Sequence, residues 1–300
     1  MASILVTGGT GLIGKHLITL LKKKGHHVSI LSRNNSNKEN IFQWNIEEKY
    51  IDEEAIKNAD YIVHLAGAGI ADKRWTKKRK EIIINSRVFS THLLFQKVKE
   101  LNPNLKGFIA ASGVGFYGAT TSTNIYTEND VAGNDFLSKT CSLWEESSLH
   151  FNSLNIRTVI FRTGIVLSKK KGALEKIVKP IKMGFGAILG NGKQYVPWIH
   201  ITDLCNMYIA AIENEKYQGI YNAVTPEHTS HQNLTKQIAL IFQKPLWLPN
   251  IPKLFLKIIL GKMAVIILEG SRVSSQKITD IGFKFSFPSL ENALNDLLKK

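Results

Sequence analysis

Short apolar runs alternate with amphipathic stretches through the first two thirds of the chain. Five mostly apolar runs have the length of buried strands and lie at 3–6, 27–31, 61–65, 108–111 and 157–162. Apolar residues at helical spacing fill the intervals between them, at 15–24, 52–57, 77–101 and 137–150. This strand–helix alternation predicts an α/β fold, with a Rossmann-type doubly wound parallel sheet.

The alternation loosens after residue 166. We predict one helix over 172–182 and another opened by Trp198 to Asp203, with Asp203 placed to cap it or to bond across domains. Prolines at 245, 249 and 252 then mark a change of pattern, followed by an apolar helix and a last helix near 290–298. The chain is thus predicted to form a dinucleotide-binding domain over 1–245 and a small, mostly helical module over 246–300.

A glycine-rich turn stands between the first predicted strand and the first helix. It reads Thr7-Gly8-Gly9-Thr10-Gly11-Leu12-Ile13-Gly14, with glycines at 8, 11 and 14. Such a turn lets the backbone approach a pyrophosphate, and the helix N-terminus offers free N–H groups to the anion. Glycine turns also join strands to helices for steric reasons alone, but this strand–turn–helix context favours a dinucleotide site. Its predicted contacts are Thr7, Gly8, Thr10, Gly11, Leu12, Ile13 and Gly14.

The end of the second strand predicts which dinucleotide binds. An acidic residue there bonds the ribose hydroxyl of NAD, whereas arginine accommodates the 2′-phosphate of NADP. This strand ends in Ser32-Arg33, with no nearby carboxylate. We therefore predict NADP(H) as the cofactor, bound in part by Ser32 and Arg33; the alternative is an arginine that merely faces solvent.

Further candidate residues follow the other strand ends, which converge on the same crevice in a parallel sheet. The small residues Ala66 to Gly69 let backbone pass close to a cofactor. Arg74 and Trp75, in the next loop, are candidate substrate contacts, although Trp75 can equally anchor the loop. Arg87 lies within the long helix and faces either the crevice or solvent.

Composition narrows the classes of partner. The net charge of +15 raises the question of nucleic acid, but the lysines are scattered, and only 73–80 forms a dense basic cluster. We interpret that cluster as a solvated helix face and predict no specific nucleic-acid partner. A small-molecule substrate and a monomer or homodimer are expected.

The sequence also favours a cytoplasmic setting without membrane or metal. The most apolar stretch, 254–268, is interrupted by Lys257, Gly261 and Lys262. The first strand begins at once, which leaves no signal peptide. Cys141 and Cys205 form neither a disulfide framework nor a metal-ligand spacing.

Several motifs together resemble the extended short-chain dehydrogenase/reductase superfamily. They lie at 7–14, 64–67, 111–118 and 197–200. More narrowly, the segments 71–75, 141–146, 162–164 and 282–285 resemble its atypical nucleoside-diphosphate-sugar-epimerase-like branch, also called SulA-like or cell-division-inhibitor-like, which carries a C-terminal domain of unknown function. The resemblance implies an NAD(P)-dependent oxidoreductase or epimerase-like enzyme on a small polar substrate, with a nucleotide sugar as one candidate. Implied cofactor contacts are Leu65, Ala66, Gly67, Ala111, Ser112, Arg162, Thr163 and Gly164, and substrate contacts are Trp198 and His200.

The sequence departs from that superfamily at the proton-handling residues. Active members use a tyrosine, a lysine four residues later and a serine, but no tyrosine here has a lysine at the fourth following position. Aligning Glu145 with the acid that follows the motif puts Leu137 at the tyrosine position and Cys141 at the lysine position. The remaining catalytic candidates are Ser112, Tyr117 and Cys141; for the last two, a structural role is the alternative. A cofactor-binding regulator without turnover is therefore the second hypothesis.

Overall fold

The centre of the protein is an eight-stranded sheet. The computed structural model describes residues 1–34 and 39–299. Its strands are β1 Ser3–Thr7, β2 His27–Ser32, β3 Ile41–Asn45, β4 Tyr50–Ile51, β5 Tyr61–His64, β6 Gly107–Gly113, β7 Ile125–Tyr126, β8 Arg157–Thr163, β9 Ile165–Leu167, β10 Trp198–His200, β11 Gly219–Ala223 and β12 Arg272–Val273. The main sheet has the order β11-β8-β6-β5-β1-β2-β3-β4.

The main sheet is parallel except at one edge. Strands β1, β2, β3, β5, β6, β8 and β11 run in one direction, and β4 pairs with β3 in the opposite sense. The chain leaves β1 toward β2 on one side and returns to β5 on the other. A crevice therefore opens at the carboxyl ends of β1 and β5, where the strand order reverses.

Helices cover both faces of the sheet. They are α1 Leu12–Lys23, α2 Glu53–Lys57, α3 Lys77–Leu101, α4 Phe136–Leu149, α5 Ala173–Lys182, α6 Ile201–Glu213, α7 His231–Ile241, α8 Lys253–Leu260, α9 Val265–Leu268, α10 Gln276–Asp280 and α11 Leu290–Leu298. Side chains of β1 alternate between the two cores: Ile4 and Val6 pack with α1 and α6, and Leu5 packs with α2 and α3. This two-sided burial confirms the predicted doubly wound α/β fold.

Helices α8 and α9 share a small apolar cluster of their own, whereas the last helix packs into the main body of the protein. The last helix, α11, shares a cluster with α5, α7, Leu167 and Trp198. Asp203, at the start of α6, accepts hydrogen bonds from the amides of Ser286 (2.8 Å) and Phe287 (2.9 Å). The expected bond of Asp203 across to the tail is thus present, while the division at residue 245 stays a prediction.

Some short elements differ from the prediction. Helix α1 begins at Leu12 rather than Lys15, directly after the turn. Residues 198–200 form strand β10, parallel to β9, before α6 begins at Ile201. Strands of three residues carry too little periodicity to be recognised. No helix in the described ranges is long and apolar enough to cross a membrane.

Candidate functional site

The glycine turn after β1 is closed by direct backbone contacts. Gly8 has φ +68°, and a Cβ built on it would stand 2.9 Å from the carbonyl carbon of Leu65. A Cβ on Gly14 would stand 2.4 Å from the Gly8 carbonyl oxygen. Neither position has room for a side chain, so the turn lies flush against the end of β5 and the start of α1.

The N-terminus of α1 is free to receive an anion. Gly11 caps the helix without a side-chain acceptor, and the first turn holds no acidic residue. The amides of the first turn, including those of Leu12 and Ile13, have no carbonyl partner within an α-helix. Together with the helix dipole, these groups fit a pyrophosphate.

Thr7 fixes the neighbouring strand end against this turn. Its hydroxyl lies 2.7 Å from Nδ1 of His64 and accepts hydrogen bonds from the amides of Leu65 (3.1 Å) and Ala66 (3.2 Å). Burial lowers the pKa of His64 to about 3, so the ring is neutral at physiological pH. Thr7 therefore positions the Leu65–Gly67 backbone beside the glycine turn.

Arg33 stands at the rim of the crevice, directly after β2. Its side chain is exposed, and Ser32 is half-buried, with its hydroxyl accepting from the amide of Asn34 at 3.2 Å. Because β2 pairs with β1, Arg33 lies on the strand next to the one that leads into the glycine turn. Both residues stand at the end of β2, as the strand pattern predicts, and their contact with a cofactor stays a prediction.

A buried ion pair occupies the carboxyl ends of β6 and β8. Arg162 donates to both carboxylate oxygens of Glu145, at 2.9 Å from Nε and 2.8 Å from Nη2. Both side chains are almost fully buried. Ser112 donates to the same carboxylate at 2.7 Å. The sequence predicts Arg162 as a cofactor contact, but in the structure its guanidinium is bonded to Glu145.

The same arginine extends the network to Tyr117. Arg162 Nη1 donates to the Tyr117 hydroxyl at 3.0 Å, and that hydroxyl donates to Asn222 at 2.6 Å. Burial raises the pKa of Tyr117 to about 12. Its hydroxyl is therefore protonated at neutral pH and occupied on both sides.

Cys141 lies beside this network but is not an activated thiol. Burial raises its pKa to about 11, and the Glu145 carboxylate adds to the effect. The Arg87 guanidinium opposes that rise without overcoming it. Cys141 is thus a neutral thiol facing the end of β6, because a Cβ on Gly113 would lie 3.7 Å from its sulfur.

The predicted substrate contacts fall into separate places. Trp75 donates from its indole to the carbonyl of Ile70 at 2.9 Å and packs edge-on against Phe136, which anchors its loop. Arg74 donates to the carbonyl of Ile258 in α8 at 2.8 Å. These two residues connect the loop after β5 to α4 and to the tail.

Trp198 and His200 are buried beneath the tail. Trp198 lies in the core shared with α11, and His200 stacks on Phe287 with ring centroids 3.8 Å apart. His200 Nε2 lies 3.2 Å from Asp296, and its other ring nitrogen accepts from the amide of Thr202. Burial lowers the pKa of His200. The structure brings neither residue together with Ser112 and Cys141.

Three further predicted contacts lie at the ends of β6 and β8. Ala111 and Thr163 are half-buried there, and the Thr163 hydroxyl donates a hydrogen bond to the carbonyl of Phe161. A Cβ on Gly164 would stand 2.5 Å from the Pro197 carbonyl oxygen, so this glycine allows β9 to approach the segment before β10.

Glu145 and Asn222 are network members that sequence reasoning did not assign. Asn222 donates from its amide to Glu128 (2.7 Å) and from its side chain to the carbonyl of Ser274 (3.1 Å). The available signal was a charged residue on the buried face of a helix, since Glu145 follows Cys141 by one helical turn. Asn222 lies within β11, a strand that the sequence analysis did not predict.

The strand order, the glycine turn and the free helix N-terminus together define an NAD(P)-binding Rossmann protein. The sequence profile of the NAD-dependent epimerase/dehydratase family matches residues 4–223, and a domain of unknown function, DUF1731, matches residues 251–297. The chain belongs to this epimerase/dehydratase family, as the motif resemblance predicts.

Individual relatives agree with this membership. The epimerase family protein YfhF of Bacillus subtilis is 36% identical, over 99% of this chain and 98% of its own. A crystal structure of the human epimerase family protein SDR39U1 with NADPH superposes with a TM-score of 0.87 at 28% identity, covering 98% of each chain. A nucleoside-diphosphate sugar epimerase from Corynebacterium glutamicum gives 0.82 at 28% identity, covering 99% of this chain and 58% of its own.

Proposed function

We propose that this protein is an NADP(H)-dependent oxidoreductase or epimerase-like enzyme that acts on a small polar substrate, with a nucleotide sugar as the candidate class. The observation that carries the proposal is the glycine turn, which leaves no room for a Cβ at Gly8 or Gly14 and ends at an uncapped helix. Arg33 favours NADP(H) over NAD(H), because an arginine at this strand end accommodates the 2′-phosphate. The human relative SDR39U1, whose crystal structure contains NADPH, supports the same choice. The substrate class rests on family resemblance.

The chain's own residues divide the work of holding the cofactor. First-turn amides of α1 take the pyrophosphate, and Arg33 with Ser32 takes the 2′-phosphate. The Leu65–Gly67 backbone borders the ribose. When bound, the nicotinamide supplies a hydride donor or acceptor.

Proton handling falls to Ser112 in this proposal. Tyr117 and Cys141 are both neutral at physiological pH, and the Tyr117 hydroxyl is already bonded on both sides. The hydroxyl of Ser112 rests on the Glu145 carboxylate at 2.7 Å. Ser112 can therefore pass a substrate proton to a carboxylate that Arg162 holds in place.

Titration with NADPH and NADH, followed by fluorescence, tests the cofactor assignment. Arg33→Gln removes the charge facing the 2′-phosphate, so it should weaken NADPH about tenfold and leave NADH unchanged. Lys22→Gln, an equal charge change at the exposed end of α1, is the matched control. Equal affinities of the wild type for the two cofactors would contradict the role given to Arg33.

A second candidate is a cofactor-binding regulator that does not turn over. The occupied hydroxyl of Tyr117 and the neutral thiol of Cys141 favour it, because neither supplies a free base. Hydride exchange between NADPH and a panel of ketones, aldehydes and nucleotide sugars decides between the two. Turnover that Ser112→Ala abolishes, with NADPH affinity retained, supports the enzyme; tight NADPH binding without exchange supports the regulator.

A further inference from the structure

In the part of the chain that the structure describes, Arg87 is a buried cation without a carboxylate partner. It lies in the middle of α3 and is 7% exposed. The arginines that form ion pairs within the described ranges are Arg79 and Arg162, so no described carboxylate lies within 4.0 Å of Arg87. Arg162, which is equally buried, is matched by both oxygens of Glu145. A charge removed from water without a counter-ion is costly, and buried charges in proteins are as a rule paired with an opposite charge.

Among the described residues, the protein bonds only to one nitrogen of this guanidinium, Nη1. Nη1 donates to the carbonyls of Ile83 (2.8 Å) and Ala68 (3.1 Å). These bonds fix the orientation of the group but supply no negative charge. Arginine carries five N–H donors in a planar fork, so donors remain for a ligand.

The guanidinium stands at the border of the crevice. Its central carbon lies 4.9 Å from the centroid of the Trp144 ring. On the other side, a Cβ built on Gly67 would stand 3.1 Å from that carbon, and the Gly67 backbone is exposed. Arg87 is therefore held between α4 and the turn after β5, between the glycine turn and Ser112 in the strand order.

Its charge persists at physiological pH. Burial lowers the pKa of Arg87 to about 10, which still leaves it protonated. The nearby Cys141 thiol is neutral and supplies no counter-charge. Cys141 also occupies the position where the superfamily pattern has its lysine. The positive charge near this position is supplied instead by Arg87 of α3.

We propose that Arg87 binds an oxyanion of the substrate, a carboxylate or a phosphoryl group, in the crevice beside Gly67 and Cys141. The proposal rests on the proposed function, which places the substrate at these strand ends. The anionic groups of the cofactor have other partners, since α1 receives the pyrophosphate and Arg33 the 2′-phosphate. Planar guanidinium groups recognise carboxylate and phosphate through paired hydrogen bonds.

Anion titration of the NADPH-loaded protein tests this assignment. Oxalate, inorganic phosphate and uridine diphosphate are titrated calorimetrically into the wild type and into Arg87→Gln. We expect millimolar or tighter binding of at least one probe, weakened roughly 10- to 100-fold by Arg87→Gln because a charge-assisted hydrogen bond is lost. Lys78→Gln removes an equal charge from an exposed position of the same helix and should change nothing.

The possible outcomes separate the sources of the oxyanion. NADPH affinity within about twofold of the wild type in Arg87→Gln supports a substrate group, whereas a loss of NADPH affinity assigns the guanidinium to the cofactor and overturns the proposal. Unchanged anion affinity in Arg87→Gln, or no binding of any probe to the wild type, also overturns it. If Arg87→Gln fails to fold, Arg87→Lys keeps the charge but not the fork, and an intermediate loss is expected. A failure of the proposed function appears separately, as absent NADPH binding or absent hydride exchange.

Discussion

The carbonyl oxygen of Gly8 limits which residues the cofactor turn can hold. It accepts from the Gly11 amide at 2.9 Å and faces the position that a Cβ on Gly14 would occupy. Gly11 and Gly14 face the same oxygen but differ in space: a Cβ on Gly11 would stand 3.1 Å away, against 2.4 Å for Gly14. The two glycines thus form a matched pair for substitution.

Gly14→Ala should lower the free energy of unfolding by about 1–3 kcal/mol, since the new methyl group forces α1 away from the turn. Gly11→Ala needs only a small adjustment and should cost less. Denaturant unfolding of both variants measures the difference, and NADPH affinity should fall further in Gly14→Ala. Equal stabilities of the two variants would contradict this reading of the turn.

The burial of the two cysteines leads to a second prediction at the residue scale. Burial raises the pKa of Cys141 to about 11 and that of Cys205 still further. At pH 7.5 the native protein should therefore react with a thiol reagent at far below one equivalent, and at two equivalents after denaturation. Rapid modification of native Cys141, detected by mass spectrometry, would instead support its role as a nucleophile.

At the residue scale, sequence predicts structure best where the local backbone alone sets it. The turn at 7–14 is recognisable because its strand, glycines and helix are contiguous. By contrast, the hydrogen-bonded residues Ser112 and Glu145 are 33 positions apart along the chain, and Tyr117 and Asn222 are 105 positions apart. Such pairs are set by the register of distant strands, which no local spacing encodes.

Elements with capping signals were predicted most accurately. Helix α3 spans Lys77–Leu101 as expected, and the Thr76 hydroxyl caps it by accepting from the amide of Arg79. Strands β9 and β10 were missed as separate elements, because their pairing is specified by Gly164 and Pro197 rather than by a hydrophobic pattern. Helix α6 shows a further element-scale feature, since Asp203 in its first turn holds the segment before α11.

Asp203→Asn should loosen that segment. In the variant an NH₂ group replaces one carboxylate oxygen and faces a backbone N–H, so one of the two hydrogen bonds is lost. The free energy of unfolding should therefore fall by about 1.5–3 kcal/mol. Asp296→Asn alters the half-exposed partner of His200 and should cost under about 1 kcal/mol. Thermal unfolding measures both, and limited proteolysis near residues 284–289 should accelerate only in Asp203→Asn. Similar cleavage rates in the two variants would show that Asp203 does not hold the tail.

The whole molecule carries buried neutral histidines that link its stability to pH. Burial lowers the pKa of His64 to about 3 and that of His231 to about 4. Unfolded histidine has a pKa of about 6.5, so the unfolded chain binds protons that the folded chain excludes. Each group's contribution is complete above that value and is lost as pH falls, by about 1.4 kcal/mol per pH unit.

His231→Gln should make the stability curve shallower. Between about pH 6 and 5, the slope of the free energy of unfolding should fall by about 1.4 kcal/mol per pH unit relative to the wild type, because one titrating group is gone. Urea unfolding at several pH values measures it. Parallel curves for the two proteins would mean that His231 takes up its proton at the same pH in the folded and unfolded states.

At this scale the fold was predictable, whereas the particular packing of the last helix was not. The alternation of strands and helices specifies the layers, and family membership confirms them. The contact of α11 with α5 and α7 depends on chain segments up to about 120 residues apart, whose packing only the assembled structure reveals.

The bond between Asn222 and the Ser274 carbonyl has a consequence for the order in which the protein matures. Tyr117 is oriented by Asn222, and β7, next to it, pairs with β12 at Arg272–Val273. During synthesis, all strands of the main sheet are therefore present in the chain well before Asn222 can bond to residue 274. The glycine turn and every strand of the main sheet lie before residue 224, whereas the contacts that hold Tyr117 are complete only when residue 274 has emerged.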